Sequence, residues 1–142
     1  MTQIDFYTHV ENKHQVACML SAKALERDMR VLIYTPDKAV SEVMNQLLWS
    51  ASATAFLPHC SPQNELAALT PIIIQHEADG LLHDEVLLNL RSEHPPFFSR
   101  FQRLIEIVST DEADRLAARD RFKFYRDRGY EIRSHDLSKG KS

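Results

Sequence analysis

Val31-Leu32-Ile33-Tyr34 is an unbroken apolar run, with Arg30 before it and Pro36 shortly after it. A strand turns successive side chains to opposite faces, so a run without polar alternation leaves no face for water. Both faces must be covered, and a parallel sheet packed between helices is the usual way to cover them. Runs of the same kind recur at Ile72-Ile73-Ile74, Val86-Leu87-Leu88-Asn89-Leu90 and Leu104-Ile105-Glu106-Ile107-Val108. They predict an α/β protein of three layers, with a mostly parallel central sheet flanked by helices.

The segments between the runs supply the helices. Ile4-Asp5-Phe6-Tyr7 predicts a first strand. Residues 11–28 contain neither Pro nor Gly, and Val16, Leu20 and Ala24 repeat at helical spacing. Strand, helix and the run at 30–34 make a βαβ unit, expected to be parallel and right-handed. Asp37 is placed to cap a second helix over 37–50, with Val40, Val43, Met44, Leu47 and Leu48 as its buried face. Residues 55–59 read as a short strand or extended segment, and 60–70 as a loop or short helical turn. His94-Pro95-Pro96 breaks the chain, and Phe97–Phe101 is expected to form one helical turn. Tyr130-Glu131-Ile132 reads as the last strand. One domain over 1–137 and a disordered tail over 138–142 complete the expected organisation.

Composition excludes several classes. Hydrophobic residues make up 44% and charged residues 26% of the chain, ordinary for a soluble globular protein. No apolar run approaches the roughly 20 residues that span a bilayer. The start MTQIDFYTHVENKH lacks the basic-then-apolar order of a secretion signal, so a cytoplasmic location without membrane contact is expected. In that compartment Cys18 and Cys60, with no CxxC spacing, are expected to be reduced thiols. The formal net charge is −3, but residues 111–142 hold nine Lys/Arg against seven Asp/Glu. An acidic chain with a local basic patch fits a small acidic partner better than it fits a nucleic-acid coat.

Catalytic signatures are missing. A phosphate loop needs GxxxxGK[ST], and a dinucleotide site needs GxGxxG after the first strand. The chain has three glycines, Gly80, Gly129 and Gly140, and Thr8-His9-Val10-Glu11-Asn12 follows the first strand. The seven histidines are scattered. They form neither HExxH nor a zinc-finger spacing with cysteine, and no GxSxG is present. No enzyme activity, cofactor or metal is expected.

Two features point to binding. Residues 111–130 predict a helix of four to five turns, with acids at Asp111-Glu112 and a left-handed C-cap at Gly129. At 100° per residue, Arg115, Arg119, Phe122, Lys123 and Arg126 share about a third of the circumference. Ala113, Leu116, Ala117 and Phe124 fall on another arc, which can pack on a core. Four cations around one ring suit an acidic ligand with an apolar end. The same stripe also fits a solvated face whose arginines pair with Asp111 and Asp127. The second feature is apolar: Leu47-Leu48-Trp49 and Phe56-Leu57-Pro58 suit either a core edge or a subunit contact.

These pieces, in this order, resemble the chi subunit of bacterial DNA polymerase III. The likeness runs from about Ile4 to Leu137. It is carried by Phe6-Tyr7, Arg30-Val31-Leu32-Ile33, Leu48-Trp49, Phe56-Leu57-Pro58-His59 and Pro71-Ile72-Ile73-Ile74. It continues through Leu87-Leu88-Asn89-Leu90, Phe97-Phe98-Ser99-Arg100-Phe101, Ile105-Glu106-Ile107-Val108, Ala118-Arg119-Asp120-Arg121, Tyr125-Arg126 and Gly129-Tyr130. The resemblance implies a nucleotide-binding-like topology without a phosphate loop, in a non-catalytic adaptor of the clamp-loader complex. It implies a psi subunit partner at Trp49, Phe56, Leu57 and Pro58. It also implies that the acidic, Phe-terminated tail of single-stranded DNA-binding protein docks at Arg115, Arg119, Phe122 and Lys123, with Arg126 as an addition. Some family members also contact a repair helicase. DNA contact is then indirect; the alternative is direct binding of single-stranded DNA by the basic helix over 112–128.

Overall fold

A computed structural model describes residues 2–50, 59–60, 71–78, 81 and 83–138. The strands are β1 (Gln3–Val10), β2 (Val31–Tyr34), β3 (His59–Cys60), β4 (Ile72–Gln75), β5 (Val86–Asn89), β6 (Arg103–Ser109) and β7 (Ile132–Asp136). The helices are α1 (Lys13–Glu26), α2 (Lys38–Ser50) and α3 (Glu112–Asp127). A 3-10 turn at Phe98–Arg100 occupies the place of the expected helical turn. Of the extended segment expected at 55–59 only His59 is described, and it lies in β3 together with Cys60, a residue expected in the loop over 60–70. Of the tail expected to be disordered over 138–142, Ser138 is ordered in a turn against Asp136. The remainder of these segments lies outside the described residues.

The strands form one seven-stranded sheet in the order β3-β4-β2-β5-β6-β1-β7, and every pairing is parallel. β1 and β2 are thus parallel but not neighbours, since β5 and β6 lie between them. β2, β4 and β5 are buried at all four positions, which explains their lack of polar alternation.

Two cores sandwich the sheet. On one face Val31, Ile33, Ile72, Ile74, Leu88 and Ile107 meet Ala17, Leu20 and Ala24 of α1 and Met44 and Leu48 of α2. On the other, Ile4, Phe6, Leu32, Leu87, Leu104 and Val108 meet Phe98, Phe101 and the α3 residues Ala118 and Tyr125. Asn12 caps α1 through the Gln15 amide, and Asp37 caps α2 through the Val40 amide. Val43 is the exception to the expected α2 face, at 43% exposed. The last strand starts two residues later than expected. Tyr130 precedes it and packs edge-on against Phe98, so its ring belongs to the core beside the helix end.

The helix faces fix where the chain can leave crevices. β1 leads into α1 on one face, while its neighbour β6 leads into α3 on the other. β2 leads into α2 on the first face, while its neighbour β5 leads into the Phe98–Phe101 segment on the second. At both places adjacent connections diverge beyond the carboxyl ends of the strands, where ligands bind in open parallel sheets.

Candidate functional site

The β2/β5 crevice is filled by the protein itself. Arg91 donates from one guanidinium nitrogen to the Thr35 carbonyl at 3.3 Å and to the His76 carbonyl at 3.0 Å. Its cationic carbon also lies 4.7 Å from the centre of the Tyr34 ring. Asn89 at the end of β5 donates to the Glu93 carbonyl and to both oxygens of Glu106. Glu106 is the one acid in the β6 apolar run, and it faces α3. There it accepts from Arg121 Nε at 2.9 Å and from the Tyr125 hydroxyl at 2.6 Å.

This network corrects the expected face of α3. The buried positions are Ala118, Arg121 and Tyr125, whereas Ala113 is exposed and Leu116 is 48% exposed. Phe124 is half-buried between His94, stacked 3.6 Å away, and Arg128, whose guanidinium covers the ring at 3.7 Å. Arg121 reaches the core because Glu106 waits there; residue type alone places an arginine outside. Burial pushes the Glu106 carboxyl above its ordinary range, while Arg121, Tyr125 and Asn89 pull it back.

The β1/β6 crevice is open. A groove of about 270 Å³ runs between α3 and the ends of β1, β6 and β7. Phe6 and Val108 supply apolar walls, and Phe122 closes one side, edge-on to Phe6 with ring centres 5.3 Å apart. Arg115 and Arg119 stand on the helix side, and Thr8, His9, Ser109 and Ser134 supply polar atoms along the strand ends. The volume is below the range of pockets that enclose drug-sized ligands and fits a single side chain with its polar termini.

Three of the five expected stripe residues therefore share the groove: Arg115, Arg119 and Phe122. Lys123 and Arg126 are exposed further along α3 and do not line it. Arg126 pairs with Asp127 at 3.3 Å. Arg115 sits 3.5 Å from Glu112, a half-exposed pair of small energetic weight. Arg119 makes no ion pair among the described residues. The start of α3 is held over the end of β6 by Asp114, which caps the Ser109 amide at 2.8 Å and accepts from Lys13 at 3.1 Å. Burial raises the Asp114 carboxyl, but the Ser109 amide and Lys13 outweigh it and hold the group below its ordinary value.

Sequence reasoning missed Phe6, Thr8, His9, Val108, Ser109 and Ser134 as groove residues. They come from three strands far apart in the chain, so only the strand order brings them together. The available signal was the switch from apolar to polar residues at Thr8-His9.

Of the apolar patch, Trp49 stands one residue before the end of α2 and is 58% exposed. Phe56, Leu57 and Pro58 lie outside the described residues. Cys18 is a buried free thiol, pushed up to about 11 by burial.

In the turn after β1 the Asn12 side chain accepts from the amide of Gln15, the third residue of α1, as an ordinary N-cap does. Fold and groove together define a three-layer parallel α/β protein with a cation-rimmed groove beyond the ends of β1, β6 and β7. Residues 1–133 match the family described as DNA polymerase III chi subunit, HolC. The chain is 36% identical to the DNA polymerase III subunit chi of Pseudomonas aeruginosa, over 96% of this chain and 98% of that one. It is 28% identical to the chi subunit of Haemophilus influenzae, over 93% and 95% of the two chains. For the chi subunit of Escherichia coli the values are 25%, 92% and 88%. The chain belongs to the DNA polymerase III chi subunit family, an accessory component of the replicative polymerase. Among the described residues no helix is long and apolar enough to cross a membrane.

Proposed function

We propose that this chain is a non-catalytic, cytoplasmic adaptor of the DNA polymerase III clamp-loader complex. It links the psi subunit to the acidic C-terminal tail of single-stranded DNA-binding protein during replication. The observation that carries the reading is the pairing, in one groove, of apolar walls with Arg115 and Arg119. A terminal Phe ring enters between Phe6, Val108 and Phe122. The acidic residues and terminal carboxylate of the tail face the two guanidinium groups, with Lys123 and Arg126 extending the positive field along α3.

Burying the ring contributes about 1.5–3 kcal/mol, and each charge-assisted hydrogen bond about 1.5–3 kcal/mol. Ordering a flexible tail costs several kcal/mol. The balance is a micromolar contact, weakened by salt and strengthened by many tails on one coated strand. The exposed Trp49, with Phe56, Leu57 and Pro58 near it in sequence, is assigned to psi. A repair helicase is a further partner of that surface.

Calorimetric titration with an acidic, Phe-terminated peptide tests the groove. Saturable binding to the intact chain, weakened at least tenfold in Arg119→Ala, is expected. Failure of the intact chain to bind removes the reading. A second reading, direct binding of single-stranded DNA, draws on the line of Arg119, Lys123 and Arg126 along exposed α3. Oligonucleotide titration without the binding protein separates the two.

A further inference from the structure

The groove has room for one side chain, but a peptide brings its backbone with it. Ser134, which lines the groove, lies on β7, and β7 is the outermost strand of the sheet on that side. Groove and strand edge are therefore continuous.

The register fixes what the edge offers. At the two ends of the β1–β7 ladder the Ile4 amide donates to the Glu131 carbonyl at 3.2 Å, and the Leu137 amide donates to the Thr8 carbonyl at 3.0 Å. In a parallel ladder the residues that bond to one neighbour alternate with those whose peptide groups turn away from it. Glu131, Arg133, His135 and Leu137 thus face β1. The peptide groups of Ile132 and Ser134 point to the open edge, beyond which no strand follows among the described residues. The side chains of the same two residues turn to the α3 face, where Ile132 packs against the core and Ser134 lines the groove. Open backbone and groove wall coincide at Ser134, whose side chain is small enough not to bar the way.

The edge is also suited to pairing. β7 runs in unbroken register with β1 over five residues and contains no proline, lysine or bulge to discourage a further strand. Arg133 lies on the face away from the groove. Asp136 accepts from the Ser138 amide at 2.8 Å and its hydroxyl at 2.6 Å.

We infer that an acidic, Phe-terminated peptide docks by adding a strand to this sheet, its backbone pairing with Ile132 and Ser134 while its terminal ring enters the groove. The inference rests on the groove being the peptide site. Charge supplies the direction. Arg115 stands in the first turn of α3, which Asp114 holds over the end of β6, so the cations lie toward the carboxyl ends of the strands. No acidic side chain lines the groove among the described residues. A terminal carboxylate drawn toward Arg115 and Arg119 makes the peptide run parallel to β7. Every second side chain of the peptide then faces α3, and those between face the other side of the sheet. The main-chain bonds add affinity without regard to sequence, and the groove supplies the selection.

The test is calorimetric titration of the full chain with the acidic Phe-terminated peptide and with a series N-methylated at one amide at a time. Methylation at alternate amides is expected to weaken binding about tenfold, the worth of one hydrogen bond, and methylation at the amides between to leave it within about twofold. Amide exchange followed by NMR is expected to slow about tenfold at Ile132 and Ser134 on saturation, with little change at Arg133 and His135, which already face β1. Ser134→Pro removes an outward N–H and spares the bonds to β1, as proline on a strand edge can, so a folded variant with about tenfold weaker binding is expected. If that variant does not fold, the methylated series on the intact chain decides. A nitroxide at the peptide's N-terminus is expected to broaden Glu131; broadening of Leu137 instead overturns the parallel direction. Saturable binding with an even response across the methylated series, or with unchanged exchange at Ser134, overturns strand addition and leaves the groove assignment standing. No binding by the intact chain overturns the groove assignment and this inference with it.

Discussion

Two crevices open beyond the carboxyl ends of one sheet, and the chain treats them oppositely. A single row of residues crosses both on the α3 face: Gln75, Tyr34, Asn89, Glu106, Phe6 and Ser134, joined pair by pair through the strand registers. From Tyr34 to Glu106 the row is closed by the protein's own donors, Arg91, Arg121 and Tyr125. At Phe6 and Ser134 no such plug exists among the described residues, and the groove remains. Both crevices have arginines above them. What separates a structural arginine from an available one is a carboxylate already in place: Arg121 has Glu106, and Arg119, two residues earlier, has no such partner among the described residues.

The sharpest way to break the comparison is to unplug the filled crevice. Glu106→Ala leaves Arg121 charged and only 2% exposed with no acid beside it. Loss of one partner of a buried pair costs about 3–5 kcal/mol, to be read from urea unfolding. The double variant Glu106→Leu/Arg121→Met is expected to recover much of that loss, because replacing both charges with apolar groups is often neutral. If Glu106→Ala unfolds as readily as the intact chain, the plug is not structural.

A smaller effect is expected beneath the open crevice, on the opposite face of β1. Asp5 is buried there, accepting from Arg103 Nε at 2.7 Å and meeting His135 Nε2 at 3.1 Å. Burial raises its carboxyl, but the hydrogen bonds from Arg103 and His135 and the charge of Arg103 more than offset this and hold it below the ordinary aspartate value. A depressed carboxyl stabilises the fold fully above the unfolded-state value, and that contribution disappears as pH falls through the folded one. The urea midpoint should therefore decline on acidification below about pH 4. Asp5→Asn should show a shallower decline, from a start lower by about 1–3 kcal/mol. An unchanged acid slope in the variant would show that other carboxyls set it.

The smallest effect is expected on the outer face of α3. Leu116→Ala and Arg119→Ala remove exposed groups, and each should change stability by less than about 0.5 kcal/mol. Arg119→Ala should nevertheless weaken peptide binding. Affinity and stability thus separate in the open crevice, whereas Glu106→Ala must show itself in stability.

The sequence made the strands legible where burial is two-sided. Val31–Tyr34 and Ile72–Ile74 announce themselves because no polar residue interrupts them. The helix ends at Asp37, Asp111 and Gly129 were equally readable, since caps depend on local chemistry; Gly129 does take φ 84°. The inward face of α3 was not readable. Helical spacing sorted its residues by polarity, but the fold buries Arg121 and leaves Leu116 outside. Glu106, a lone acid inside an apolar strand, was the clue that a cation had to follow it into the core. The cationic side of the groove was visible as a stripe, because its members lie on one helix. Its other side was not, because Thr8, Ser109 and Ser134 become neighbours only through strand order.

That order has a consequence for how the protein is made. β1 is the first strand to be synthesised, yet both its partners, β6 and β7, begin at Arg103 and Ile132. A chain emerging from the ribosome N-terminus first carries β1 unpaired until β6 has been made. Long-range pairings of this kind are slow to close. Phe6 and Thr8 gain their groove neighbour Ser134 only once β7 has been made. A chain cut short before β7 lacks Ser134 and Asp136 and keeps one edge of β1 bare. The groove is therefore assembled only in a chain that has been carried through β7.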